Sequence, residues 1–164
     1  MAQDETTGAT PNGGDAAQAG PPQLFINAQY VKDLSFENPR APQSLLQQKT
    51  QPEVSLDVDV KARDLAANLF EVALTISAEA KAEGETAFIV QLTYCGVVST
   101  QNATPDILTA MILIETPRLL FPFARNVIAT ATRDGGFPPL LINPIDFAAL
   151  VRREQAKAGE TTTA

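Results

Sequence analysis

The 164-residue chain contains no histidine and no tryptophan, and it has a single cysteine, Cys95. Without histidine there is no Ser-His-Asp triad, no Cys-His pair and no imidazole metal site. One cysteine excludes an intrachain disulfide, and a lone thiol suits a reducing compartment. Basic residues are also scarce: twelve Lys and Arg against nineteen acids give a formal charge of −7. That balance disfavours non-specific binding to nucleic acid or to an anionic membrane, since both need a basic surface. Neither a GxxxxGK phosphate loop nor a GxGxxG turn is present, which argues against an ATPase or a dinucleotide cofactor. The longest apolar stretch, Ile107 to Ile114, is interrupted by Thr109 and falls far short of the ~20 residues of a membrane span. Composition therefore points to a cytosolic binding protein with no cofactor, not to an enzyme.

The ends of the chain differ from its middle. Residues 1–22 hold four of the nine glycines, three acids and no Lys or Arg. With no basic start and no apolar run, this is not a secretory signal but a solvated acidic tail. Asn12-Gly13-Gly14 has no flanking strands and reads as loop. Residues 158–164 are small and polar, a second tail. The folded unit is expected over 23–157.

Its first half alternates with period two, the strand signal. Leu24, Ile26, Ala28, Tyr30, Leu34 and Phe36 are expected on one face, with Asn27, Gln29, Asp33, Ser35 and Glu37 on the other. Val54, Leu56, Val58 and Val60 alternate with Ser55, Asp57, Asp59 and Lys61. A third strand, about Leu69 to Lys81, turns at Glu83-Gly84 into a fourth with Phe88, Val90, Leu92 and Tyr94 opposite Ile89, Gln91, Thr93 and Cys95. One wet and one apolar face marks an antiparallel sheet covered on one side. Asn38 to Glu53, with three prolines and four glutamines, is longer than a hairpin loop, and such connections are often functional.

From Thr104 the period becomes helical. Thr104-Pro105-Asp106 is a helix start, with a hydroxyl N-cap, Pro at N1 and an acid in the first turn. Pro117 and Pro122 are expected to break or kink the run. Over Arg118 to Arg133, Leu119, Leu120, Phe123, Val127 and Ala131 form one face and Arg118, Arg125 and Arg133 the other. Gly135-Gly136 ends the helix, and Phe137 to Ile142 suits neither helix nor strand. Asn143-Pro144 opens a last helix with Asp146 at N3, stapled by Ile142 and Phe147. Strands followed by helices give an α+β fold, a four-stranded antiparallel sheet with two main helices on one face.

Little of this supports catalysis. Cys95 lies in a strand with no base beside it and reads as an inert thiol. Asp57 with Asp59, and Glu83 with Glu85, are solvated edges, not a carboxylate dyad. The Asn102-Ala103-Thr104 sequon carries no weight without a secretion signal. Charge is unevenly spread: residues 33–85 hold ten acids and five bases, whereas 104–157 hold five acids and six bases. The sheet half is thus an acidic surface able to steer a basic partner. The helical half has more apolar surface than four strands can cover, which leaves an oligomer interface or an exposed groove as outlets.

Several segments together resemble the SecB export chaperones. They are Tyr30 to Pro39 with Ala41-Pro42, Gln51-Pro52-Glu53-Val54 with Leu56, Phe70-Glu71-Val72, Gly84 to Phe88 and Tyr94-Cys95-Gly96. Leu119 to Arg125, Gly136-Phe137-Pro138 and Pro144 to Phe147 continue the match in order, so that it spans roughly Leu24 to Gln155. The resemblance implies a cytosolic, ATP-independent holdase that binds unfolded preproteins and delivers them to the SecA ATPase. It also implies a homotetramer, a dimer of dimers with helices packed between the dimers; the apolar helix positions are Ile107, Leu108, Met111, Ile112 and Ile114. In this family SecA is contacted through an acidic patch on the exposed sheet face. The matching positions are Asp33, Glu37, Ile89 and Gln91, the last standing where an acid is expected. A client groove is implied between the crossover loop, the second strand and the loop after the helix, with Thr50, where some relatives have an aromatic, and Phe88, Phe137, Leu140 and Leu141.

Two other readings are distinguishable. A hot-dog-like acyl thioesterase also pairs an antiparallel sheet with an apolar helix, but it usually places that helix before most strands, and this chain lacks histidine. A SecB-like chaperone could instead serve another client, such as a toxin–antitoxin pair.

Overall fold

The computed structural model describes residues 20–46 and 50–161. The tail expected over 1–22 thus lies outside the described residues up to position 19, and residues 162–164 lie outside them as well.

Four strands form one antiparallel sheet: β1 (Gln23–Glu37), β2 (Glu53–Ala66), β3 (Leu69–Ala82) and β4 (Glu85–Gln101). Their order is β1-β4-β3-β2, so β1 and β2 are the edges. The β3–β4 turn uses Glu83 and Gly84 at φ 55° and 81°, the positive angles a tight hairpin demands. Between β1 and β2 the connection holds one helical turn, α1 (Gln43–Leu46).

Strand β1 departs from simple alternation. Its register against β4 slips between Ile26 and Ala28 and again between Val31 and Asp33. Each slip is a β-bulge, and each inverts the facing of the residues beyond it. Ala28 and Tyr30, expected on the covered face, therefore lie on the open one, and Gln29 is turned inward. The second bulge, at Lys32, restores the expected phase from Asp33 to Glu37. The other three strands keep the faces their sequences predict.

The helical part runs from Pro105 to Asp134 without a break, as α2 (Pro105–Ala110), a π-helical segment (Met111–Glu115) and α3 (Thr116–Asp134). Thr104 precedes it in an extended conformation, but its side chain makes no capping bond. Pro117 widens the helix instead of ending it. A proline ring collides with the carbonyl four residues back and offers no N–H. The chain responds with an i−5 turn in which both the N–H and the hydroxyl of Thr116 donate to the carbonyl of Met111, the latter at 2.8 Å. By length and composition this helix could cross a membrane, but it lies along the sheet.

The face that α3 buries differs from the expected one. Leu120, Phe121, Ala124, Ile128 and Thr132 are buried, whereas Leu119 and Phe123 are 47% and 51% exposed. The apolar arc is wider than the contact, and small side chains select the side that fits. Ala124 lets the helix approach, and Gly96 in β4 leaves the space that Leu120 fills; a Cβ there would stand 2.9 Å from a Leu120 methyl.

The main core lies between the covered sheet face and α3, with Leu74, Ile76, Val90 and Leu92 against Leu120, Ala124 and Ile128. A smaller cluster joins Val72 and Val98 to Ile112. Helix α4 (Phe147–Thr161) closes one end, with the Phe147 ring edge-on to Phe121 at 6.2 Å. It begins later than Asn143-Pro144 suggested. Asp146 is its N-cap, not N3, and accepts the Ala149 N–H at 2.9 Å. At its other end α4 extends into the stretch expected as a C-terminal tail.

Candidate functional site

On the covered face, the helices pack against Val58 and Val60 of edge strand β2 but stop short of its first residues. Val54 and Leu56 point to this side yet remain 43% and 44% exposed. Beside them α3 ends in a Schellman turn. The N–H of Gly136 bonds the carbonyl of Arg133 at 3.0 Å, and that of Phe137 bonds Thr132 at 3.1 Å. Gly136 adopts φ 92°, a conformation that glycine takes without strain. The turn aims Phe137 back at the sheet, where its ring packs with Phe88 at 4.8 Å and Phe36 at 6.3 Å.

The segment after Phe137 has no regular ladder, so its backbone needs other partners. Buried Thr132 provides one. Its hydroxyl accepts the Leu140 N–H at 2.9 Å while donating back to the helix, 3.0 Å from the Ile128 carbonyl. Pro138 and Pro139 have no N–H to satisfy.

The result is an open groove of about 430 Å³, lined by Thr50 to Pro52, Val54, Phe88 and Phe137 to Leu141. All five residues expected to face a client, Thr50, Phe88, Phe137, Leu140 and Leu141, line it. Phe88 and Phe137 are nearly buried and make its floor, and Leu141, 64% exposed, stands at its mouth. The groove continues along Leu56, Asn143 and Pro144. The expected set omitted Pro52, Val54, Pro138 and Pro139 from the walls and Thr132 from the support. The stripe Val54, Leu56, Val58 and Val60 is legible in the sequence, but nothing in it shows that the helices cover Val58 and Val60 and leave Val54 and Leu56 open.

The opposite, open face carries the other candidate residues. Register places the strands in rows across it: Glu37–Ile89–Glu79–Ser55, then Ser35–Gln91–Ser77–Asp57, then Asp33–Thr93–Thr75–Asp59. Asp33, Glu37, Ile89 and Gln91 are thus brought together. These three rows hold five acids and no base. The acid absent at Gln91 has substitutes in its own and the adjacent row, Asp57 and Glu79, which the expected set did not include.

Next to these rows the face changes sign. Lys32 at the second bulge donates to Glu71 Oε1 at 2.8 Å, while Tyr30 and Arg63 donate to Oε2 at 2.6 and 3.1 Å. The Lys32 hydrogen bond, then that from Tyr30, hold the Glu71 carboxyl at about 2, overcoming the burial that pushes it up. By donating to Glu71, the Tyr30 phenol is raised to about 12. Burial, then the nearby charge of Glu71, raises Cys95, which lies in the same part of the sheet and is therefore a poor nucleophile. Among the described residues no cluster of His, Cys, Asp and Glu is arranged to hold a metal.

The apolar helix positions divide. Ile112 is buried within this chain, whereas Leu108, Met111 and Ile114 are half-buried and Ile107 is exposed.

The family profile described as "Preprotein translocase subunit SecB" matches residues 17–158. The chain is 50% identical over 145 residues to the protein-export protein SecB of Afipia carboxidovorans, covering 88% of this chain and 90% of that one. Against the Rhodospirillum centenum protein of the same name it is 48% identical over 158 residues, covering 95% and 94%. A solved SecB-like chaperone of Mycobacterium tuberculosis, bound to a ChAD peptide from an antitoxin, superposes with a TM-score of 0.62 at 15% identity. That structure covers 74% of this chain, and 90% of its own length is matched; at such identity the likeness concerns the fold.

Proposed function

The chain belongs to the SecB family of cytoplasmic, non-enzymatic protein-export chaperones, and from that premise we propose that its two faces divide the work: the groove holds unfolded preproteins and the acidic rows dock SecA. The observation that carries the first part is the convergence of all five expected client residues on one groove. An apolar floor with an open mouth suits an extended, unfolded segment. Each apolar side chain buried there contributes roughly 1.5–3 kcal/mol, and micromolar affinity needs about −8 kcal/mol. A few such contacts hold a client without ATP, and a folded protein has already buried the side chains required.

The acidic rows supply a flat face of one sign, suited to a partner with a basic docking surface. We also propose the tetramer, a dimer of dimers. Its support is the apolar surface that one chain leaves uncovered: Ile107, Leu119 and Phe123 on the helix and Val31 and Leu34 on edge strand β1. Several grooves on one assembly then hold one client by avidity.

The test is aggregation of an unfolded precursor, followed by light scattering without nucleotide. Suppression at near-stoichiometric chaperone supports the holdase reading. An unchanged rate of aggregation contradicts it.

A further inference from the structure

The open sheet face is not uniformly acidic. Two rows beyond Asp33–Thr93–Thr75–Asp59 contain Tyr30 and Lys61, then Arg63 and Glu71, with Lys32 bulged out beside Asp33. Three cations therefore border the acidic rows on one side. Lys61 is tied to Asp59 at 3.3 Å in an exposed pair. Lys32 and Arg63 are both turned onto the buried Glu71, the only carboxylate that contacts either of them among the described ion pairs. Lys81, at the far end of the face, leans on Glu79 at 3.7 Å.

A carboxylate buried on a solvent face needs a reason, because burial of a lone charge is costly. Here three donors satisfy it. The consequence for the surface is directional: Lys32 precedes Asp33 in the chain, and a free Lys32 ammonium could swing over the Asp33 carboxylate. Held by Glu71, it points away along the sheet.

We propose that Glu71 is a positioning residue for the acidic docking face, holding Lys32 and Arg63 so that a basic partner meets Asp33 and its neighbours unscreened. The inference rests on the acidic rows being the SecA-docking face. Glu71 itself need not touch the partner; it acts through the two cations.

Charge neutralisation separates this role from simple bracing of the sheet. Measured with the full-length protein and SecA at low salt, Glu71→Gln weakens binding roughly two- to fivefold, the size of one partly exposed charge interaction. The difference shrinks as salt screens it. Adding Lys32→Gln and Arg63→Gln to that variant restores the affinity, although the whole cluster is then gone. Lys32→Gln alone, which leaves Glu71 its other two donors, binds SecA at least as tightly as the parent. Client affinity stays the same throughout. A triple variant as weak as Glu71→Gln, or a Lys32→Gln variant weaker than the parent, overturns the proposal in favour of bracing. Asp33→Lys with Glu37→Lys serves as the reference: if it loses SecA binding and Glu71→Gln does not, the masking role fails alone. If the reference variant binds normally, the docking face itself is misplaced and the proposal falls with it.

Discussion

The ring of Phe137 packs 4.8 Å from that of Phe88, tilted by 52°, and joins the loop after α3 to strand β4. Phe36 from β1 stacks on Phe88 at 5.8 Å and lies 6.3 Å from Phe137, closing a triangle of three rings. The groove floor is thus part of the fold's own core, held by three elements, while its mouth is made by side chains with little else to do. Stability and client binding should separate along that line.

Leu141→Asp at the mouth is expected to lower affinity for an unfolded precursor roughly ten- to hundredfold, since it removes one apolar contact of roughly 1.5–3 kcal/mol, and to leave thermal stability nearly unchanged. Phe137→Ala is expected to destabilise the fold by about 3–5 kcal/mol as well as weaken binding. Paired titrations and denaturant melts check both.

Thr132→Val keeps the shape of the last turn of α3 but removes the acceptor of the Leu140 N–H. The expected cost is about 1–3 kcal/mol, and hydrogen exchange at Leu140 should accelerate more than at Ile128. Uniform acceleration along α3 would contradict a local anchor.

Much of this arrangement was legible in the sequence. The alternation of β2, β3 and β4 stated which residues face the helix, and the Gly135-Gly136 pair marked the end of α3. The middle of β1 was not legible, because a bulge leaves no compositional trace: nothing in Asn27 or Lys32 announces an extra residue. Simple alternation therefore puts Tyr30 on the covered face, whereas the bulge turns it to the open one, and the Glu71 cluster it completes has no signature in the sequence. The buried side of α3 was ambiguous for a different reason, as its apolar arc is wider than the contact and only the fit of Ala124 and Leu120 to the sheet decides. The hydroxyl of Thr132 carried no signal until its loop partner was placed.

Acid should reveal the Glu71 cluster. The carboxyl titrates at about 2 in the folded chain against an ordinary 4.5, so the unfolded chain takes up the proton first. Its contribution is present in full above about pH 4.5 and is lost as pH falls from there towards 2. Urea midpoints measured between pH 7 and pH 2.5 should fall in that window, and less steeply for Glu71→Gln, which starts lower at pH 7.

Ile107→Asp with Met111→Asp places charges at one exposed and one half-buried helix position and is expected to convert the proposed tetramer to dimers in sedimentation velocity. Each folded dimer should retain client binding, with reduced avidity. Because Ile112 is already buried against Val72 and Val98, Ile112→Asp should unfold the chain instead.

The most direct test of the holdase groove is a calorimetric titration, without nucleotide, of the intact protein with a precursor held unfolded and, separately, with the same precursor folded. Binding to the unfolded form alone is expected, with a negative heat-capacity change from apolar burial, and loss of that signal in Leu141→Asp. Equal binding of the folded form, or no binding of either, would contradict it.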